Sequence, residues 1–78
     1  MRYSILYTQL DEEGMRSIHI LDRAYNFGFL YYTNEILDIP DRDMQRLLLN
    51  DWMNIIKGKY DRELNVEMIE CFQEYHLN

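Results

Sequence analysis

Residues 3–22, YSILYTQLDEEGMRSIHILD, place two runs rich in apolar and β-branched residues on either side of a short acidic turn ending in glycine. Strands need alternating faces, and 2–10 supplies them: Tyr3, Ile5 and Tyr7 point one way, Ser4, Leu6, Thr8 and Leu10 the other. The segment Asp11-Glu12-Glu13-Gly14 reads as a type I turn whose glycine takes a positive φ, returning the chain into a second strand over 15–22. Facing Asp11 with Met15 predicts the pairs Ile5/Leu21, Leu6/Ile20, Tyr7/His19 and Thr8/Ile18, so apolar meets apolar across the hairpin.

Working outward, the aromatic run NFGFLYYT over 26–33 favours a third antiparallel strand over 27–33, with Gly28 as a bulge or point of close approach. A helix capped by Asp22 is the rival, but Asn26, Gly28 and the aromatics all lower helix propensity. A helix is predicted over 40–57. Pro40 suits its first turn, Asp41 and Asp43 complement the positive end of the dipole, and Gly58 follows as the stop signal. Met44, Leu47, Leu48, Leu49, Trp52, Met53, Ile55 and Ile56 cover well over half its circumference at ~100° per residue. Asp43, Arg46, Asn50, Asn54 and Lys57 are left as a polar strip, so the helix needs cover on two sides.

A last helix is predicted over 62–76, where Leu64, Met68, Cys71, Phe72 and Tyr75 keep the spacing of a core-facing stripe. On the same wheel Glu63, Glu67, Glu70 and Glu74 form a ridge ~110° from that stripe, with Val66 and Ile69 beyond it. The expected architecture is therefore α+β: a β-hairpin or three-stranded antiparallel sheet packed with two α-helices, in a single small domain spanning 1–78.

Charge and composition narrow the function. The 78 residues carry a formal net charge of -6, with six acidic against three basic residues in 1–40 and eight against five in 41–78. Direct contact with nucleic acid or an anionic bilayer through a basic patch is disfavoured, because phosphate contact needs clustered Lys and Arg. One cysteine excludes an internal disulfide and a multi-thiolate zinc site, so no cofactor or metal is expected. The start MRYSILYTQLDEE lacks the apolar core of a signal peptide, and no long apolar run is present; a cytoplasmic protein is expected.

An enzyme is the least favoured class. His19 reads as a cross-strand partner of Tyr7, Cys71 as a buried thiol on the apolar stripe, and His76 shares no face with Cys71. No phosphate-binding glycine loop, nucleophile elbow or paired-histidine zinc motif occurs, so no catalytic residue is assigned.

Recognition remains. The uncompensated glutamates cost an isolated helix a few tenths of a kcal/mol per like-charged pair, which points to a partner with a basic surface. Carboxylates ~5 to 6 Å apart approach the phosphate spacing of one nucleic-acid strand. The expected function is a small acidic inhibitor of a basic or nucleic-acid-binding protein, a nuclease or regulator, by nucleic-acid mimicry. Small anti-CRISPR-like inhibitors of phage or mobile-element type have this size and charge. The candidate contact is Glu63, Glu67, Glu70 and Glu74 with Val66 and Ile69, and Asp11, Glu12 and Glu13 form a secondary acidic patch. The alternative is a homodimeric interaction domain using Val66, Ile69 and an aromatic surface from Tyr25, Phe27, Tyr31 or Tyr32.

Overall fold

The structure, a computed structural model, describes residues 2–62. Three antiparallel strands, β1 (Tyr3–Leu10), β2 (Arg16–Asp22) and β3 (Phe27–Tyr32), form a sheet in the order β1-β2-β3. A 3₁₀ helix (Thr33–Asp38) and two short α-helices, α1 (Arg42–Asn50) and α2 (Trp52–Ile56), follow. The fold is α+β, as the residue pattern predicts, and the aromatic run 27–32 is a strand rather than a helix.

The first hairpin closes as its turn chemistry requires. The Asp11 backbone N–H donates to Met15 O at 2.9 Å, the Gly14 N–H donates to Asp11 O at 3.1 Å, and Gly14 takes a φ of 86°. The register differs from expectation at one point. Tyr7 faces His19 and Thr8 faces Ile18 as predicted, but Ser4 faces Leu21 and Ile5 faces Ile20, leaving Leu6 as the extra residue of a bulge. A bulge reverses the alternation, so Tyr3, Ile5 and Thr8 share the helix side, and Tyr7 lies on the opposite face with His19. This corrects the strict alternation over 2–10. Gly28, by contrast, is no bulge, since it sits opposite Leu21 in unbroken register.

The 40–57 helix is corrected twice. It starts at Arg42, not in the turn of Pro40, because the Asp41 carboxylate accepts the backbone N–H groups of Asp43 at 2.9 Å and Met44 at 3.1 Å and so caps it. It is also interrupted at Asp51, whose backbone has φ -110° and ψ 18°. There the carboxylate accepts the Tyr60 hydroxyl and, at 2.5 Å, the Asn54 amide, while the Asp51 carbonyl still accepts the Ile55 N–H at 3.1 Å. Gly58, at φ 81°, ends α2 as predicted. The predicted 62–76 helix lies outside the described residues.

Tyr3, Ile18, Ile20, Ile36, Ile39, Met44, Leu48 and Ile55 are buried between the helices and one face of the sheet. Burying an aliphatic side chain of this size stabilises the fold by about 1.5–3 kcal/mol, so this cluster supplies the main cohesion of the described region. The chain then returns to the sheet. The Thr8 N–H donates to Tyr60 O at 2.9 Å and the Arg62 N–H to Thr8 O at 3.0 Å, which lays residues 60–62 parallel to the outer edge of β1. Among the described residues no helix is long and apolar enough to cross a membrane.

Candidate partner-binding surface

The residues of the predicted acidic ridge, Glu63, Glu67, Glu70 and Glu74, with Val66 and Ile69, lie outside the described residues. The secondary patch lies on the hairpin tip, but its three acids do not act alike. The Asp11 carboxylate accepts the backbone N–H groups of Glu13 and Met15, both at 2.9 Å, and brackets the turn. Glu12 and Glu13 are exposed.

Four further aspartates hold the fold together. Asp22, 2% exposed, takes a two-pronged contact from Arg2 at 3.0 and 2.9 Å and the Ala24 N–H at 2.9 Å. The Arg2 guanidinium also lies 5.0 Å from the Tyr3 ring and 5.1 Å from the Tyr25 ring. Asp41 accepts the Tyr3 hydroxyl at 2.7 Å while capping α1. Asp61 accepts two Arg16 donors at 2.9 Å and the hydroxyl of fully buried Thr8, and Asp51 accepts Tyr60 and Asn54.

The electrostatic consequence is uniform. Arg2 holds the Asp22 carboxyl below the ordinary carboxylate range, Tyr3 does so for Asp41, Tyr60 for Asp51 and Arg16 for Asp61. A general acid at neutral pH needs a shift in the opposite direction. Of these four, Asp51 borders the half-open groove of about 480 Å³ between the start of β1 and α1, where Arg2 and Tyr3 face Asp43, Arg46, Leu47, Asn50 and Asp51. In this groove Arg2 is paired with Asp22, and Asp51 is hydrogen-bonded to Tyr60 and Asn54.

His19 lies on the sheet face opposite the helices, as the cross-strand partner of Tyr7, with ring centroids 4.2 Å apart and planes 13° from parallel. Its Nε2 is 3.2 Å from the Ser17 hydroxyl, a pair two residues apart on one strand that the sequence reading did not single out. The Ser17 hydroxyl also donates to Gln9 O at 3.3 Å, across the hairpin.

The outward side of α1 and α2 is different in kind. Met44, Leu48 and Ile55 are buried with the phase of a single helix, which carries across the break at Asp51. Opposite them, Leu49 is 46% exposed, Met53 59% and Ile56 42%. Arg42, Arg46 and Lys57 fall within ~100° of the same outward direction on the wheel and are exposed. Among the described residues the ion pairs are Arg2–Asp22 and Arg16–Asp61, so these three cations stand outside them. The sequence wheel named Arg46 and Lys57 as polar strip and Leu49, Met53 and Ile56 as needing cover; it could not say that the side left open would combine them.

The aromatic residues of the alternative reading are divided between the two faces of the sheet and a turn. Phe29 meets Phe27 edge-on at 5.0 Å and stacks with Tyr31 at 6.4 Å on the helix side, whereas Tyr32 belongs to the opposite face and Tyr25, 74% exposed, sits in the turn under Arg2. Among the described residues no group of three or more His, Cys, Asp or Glu side chains could hold a metal ion. In comparisons with known proteins, no protein family, no curated protein and no solved structure matches this chain.

Proposed function

We propose that the protein is a small cytoplasmic protein-binding module that presents its acidic C-terminal ridge to a basic surface, acting as an inhibitor of a nuclease or regulator that handles nucleic acid. The observation that supports this reading is the distribution of charge. Residues 2–62 hold ten acidic and eight basic side chains, while the other four acids, with no Lys or Arg among them, all fall in 63–78. Within 2–62, moreover, Asp22, Asp41, Asp51 and Asp61 are engaged in holding the fold. Glu63, Glu67, Glu70 and Glu74 are then the largest run of acids in the chain without a basic residue between them, with Glu12 and Glu13 exposed at the hairpin tip and Asp38 and Asp43 exposed before and within α1.

Acid presented in this way would compete for Lys and Arg side chains that otherwise contact phosphates. The test is inhibition of a panel of nucleases and DNA-binding regulators by the wild type and by the double variant Glu67→Lys/Glu70→Lys. Inhibition that weakens at least ~tenfold in the variant and falls with added salt is expected. Inhibition unchanged by charge reversal would refute the role of the ridge.

A further inference from the structure

The two edges of the sheet are unlike. Residues 60–62 close the outer side of β1, where Thr8 donates its N–H to Tyr60 O and accepts the Arg62 N–H on its carbonyl. The other edge is β3, and its sequence, FGFLYY, contains no charged residue and no proline, the residues that ordinarily blunt a bare strand. We propose that β3 pairs antiparallel with β3 of a second copy, about a two-fold axis at Phe29, joining the two sheets into one.

The direction of the backbone supports this. In an antiparallel strand the N–H and C=O of one residue point to one side and those of the next residue to the other. The Tyr32 N–H turns away from β2 and donates to the Glu35 carboxylate at 2.8 Å. β2 and β3 pair in unbroken register, so Leu30 and Gly28 also turn their N–H and C=O outward. The β1 edge gives the same phase: Thr8 turns outward to residues 60–62, so Ile18 opposite it turns toward β3 and Tyr31. Among the described residues, no side chain and no loop backbone bonds to the outward groups of Gly28 and Leu30.

A second copy fits this edge because the edge is self-complementary. Gly28 of one copy faces Leu30 of the other, so their N–H and C=O groups satisfy one another, while Phe27 faces Tyr31 and Phe29 faces its own equivalent. Phe27, Phe29 and Tyr31 already form one row of rings, with successive centroids 5.0 and 6.4 Å apart, and the pairing continues that row into the second copy. The flanking charges match as well. Arg23 is exposed in the turn before β3 and stands outside the ion pairs of the described residues, and Glu35 and exposed Asp38 follow the strand. Antiparallel pairing sets Arg23 of each copy beside Glu35 and Asp38 of the other, whereas parallel pairing would bring like charges together. With the β1 edge closed, assembly stops at the dimer.

Leu30→Pro removes an outward N–H and leaves the bonds to β2 in place, so it tests the pairing directly. Sedimentation equilibrium is expected to find the wild type dimeric and Leu30→Pro weakened roughly 100-fold in self-association, with circular dichroism unchanged. Because this variant also removes a half-buried side chain, charge exchange outside the strand supplies a second test. Arg23→Glu and the double variant Glu35→Lys/Asp38→Lys should each weaken the dimer about tenfold, and their equimolar mixture should restore it, since both contacts are then complementary. Hydrogen exchange read by NMR should find the Gly28 and Leu30 amides protected in the dimer. A wild type that stays monomeric at high concentration, a folded Leu30→Pro that dimerises like the wild type, a mixture no tighter than its components, or a dimer whose Gly28 and Leu30 amides exchange freely would each overturn the pairing. The pairing uses no residue of the acidic ridge, so its failure would leave the inhibitor reading as it stands.

Discussion

Replacing Asp61 by alanine removes one side chain and disturbs three partners at once. Its carboxylate accepts two Arg16 donors at 2.9 Å and the Thr8 hydroxyl, where residues 60–62 lie against β1. The Arg16 side chain is 16% and the Asp61 side chain 30% exposed, so the ion pair is partly solvated and its loss costs up to about 1 kcal/mol. Thr8 is fully buried, and a buried hydroxyl left without its acceptor costs about 1–3 kcal/mol. Asp61→Ala is therefore expected to destabilise by about 1–4 kcal/mol, which lowers the melting temperature by several to some tens of degrees in a chain this short. In a Thr8→Val background the same change leaves no orphaned hydroxyl and should cost only about 1 kcal/mol. Urea denaturation of the four proteins in this cycle measures the difference. Costs that simply add, to within about 0.5 kcal/mol, would refute the argument that the buried hydroxyl is what makes Asp61 important.

Two other expectations follow from the same contacts. The carboxyls of Asp22, Asp41, Asp51 and Asp61 are all held below their unfolded range, so their stabilisation is present above about pH 4 and is lost as pH falls through the folded values. The Tyr3 hydroxyl, pushed up to about 12 by its bond to Asp41 and then by burial, contributes stability that is complete below its ordinary value of 10.0 and lost as pH rises toward 12. Denaturation midpoints across pH should drop at both ends, and Tyr3→Phe should flatten the alkaline limb; an unchanged limb would assign it to other groups. Gly58→Ala should cost about 1–3 kcal/mol, more than Gly14→Ala, although both glycines have positive φ. A Cβ at Gly58 would meet the Asp61 carboxylate at 2.7 Å, whereas one at Gly14 meets nothing within 4 Å. Equal losses in thermal denaturation would show that the Asp61 contact relaxes without cost.

Much of the fold is legible because it depends on neighbours in the chain. The Asp11–Gly14 turn, the strand preference of 27–32 and the stop at Gly58 are local matters of φ, side-chain branching and missing Cβ atoms, and each appears where the residue pattern predicts it. The pairing of Tyr7 with His19 and Thr8 with Ile18 is likewise legible, because the turn counts residues outward from itself. The bulge at Leu6 is where that counting stops, since an extra residue is tolerated only by the packing it improves: it brings Thr8 rather than Tyr7 to the helix side.

What only the tertiary structure decided depends on residues far apart in the chain. Asp51, at the break between α1 and α2, meets Tyr60, and Asp61 meets Arg16 across 45 positions and Thr8 across 53. Nothing in a local window marks such pairs, for carboxylates are alike until a partner arrives. The apolar wheel of 42–56 likewise named the residues to be covered but not which would be: the sheet takes Met44, Leu48 and Ile55 and leaves Leu49, Met53 and Ile56 outward beside three cations. By itself, then, the sequence determined the three strands, the helical character of 42–56, most of the hairpin register and the excess of acid at 63–74, all consequences of near neighbours and composition, but neither the 3₁₀ helix at 33–38 nor the break at Asp51. Packing decided which aspartates are consumed within the fold and which helix side chains stay exposed, because burial is a property of the assembled layers and not of any one segment.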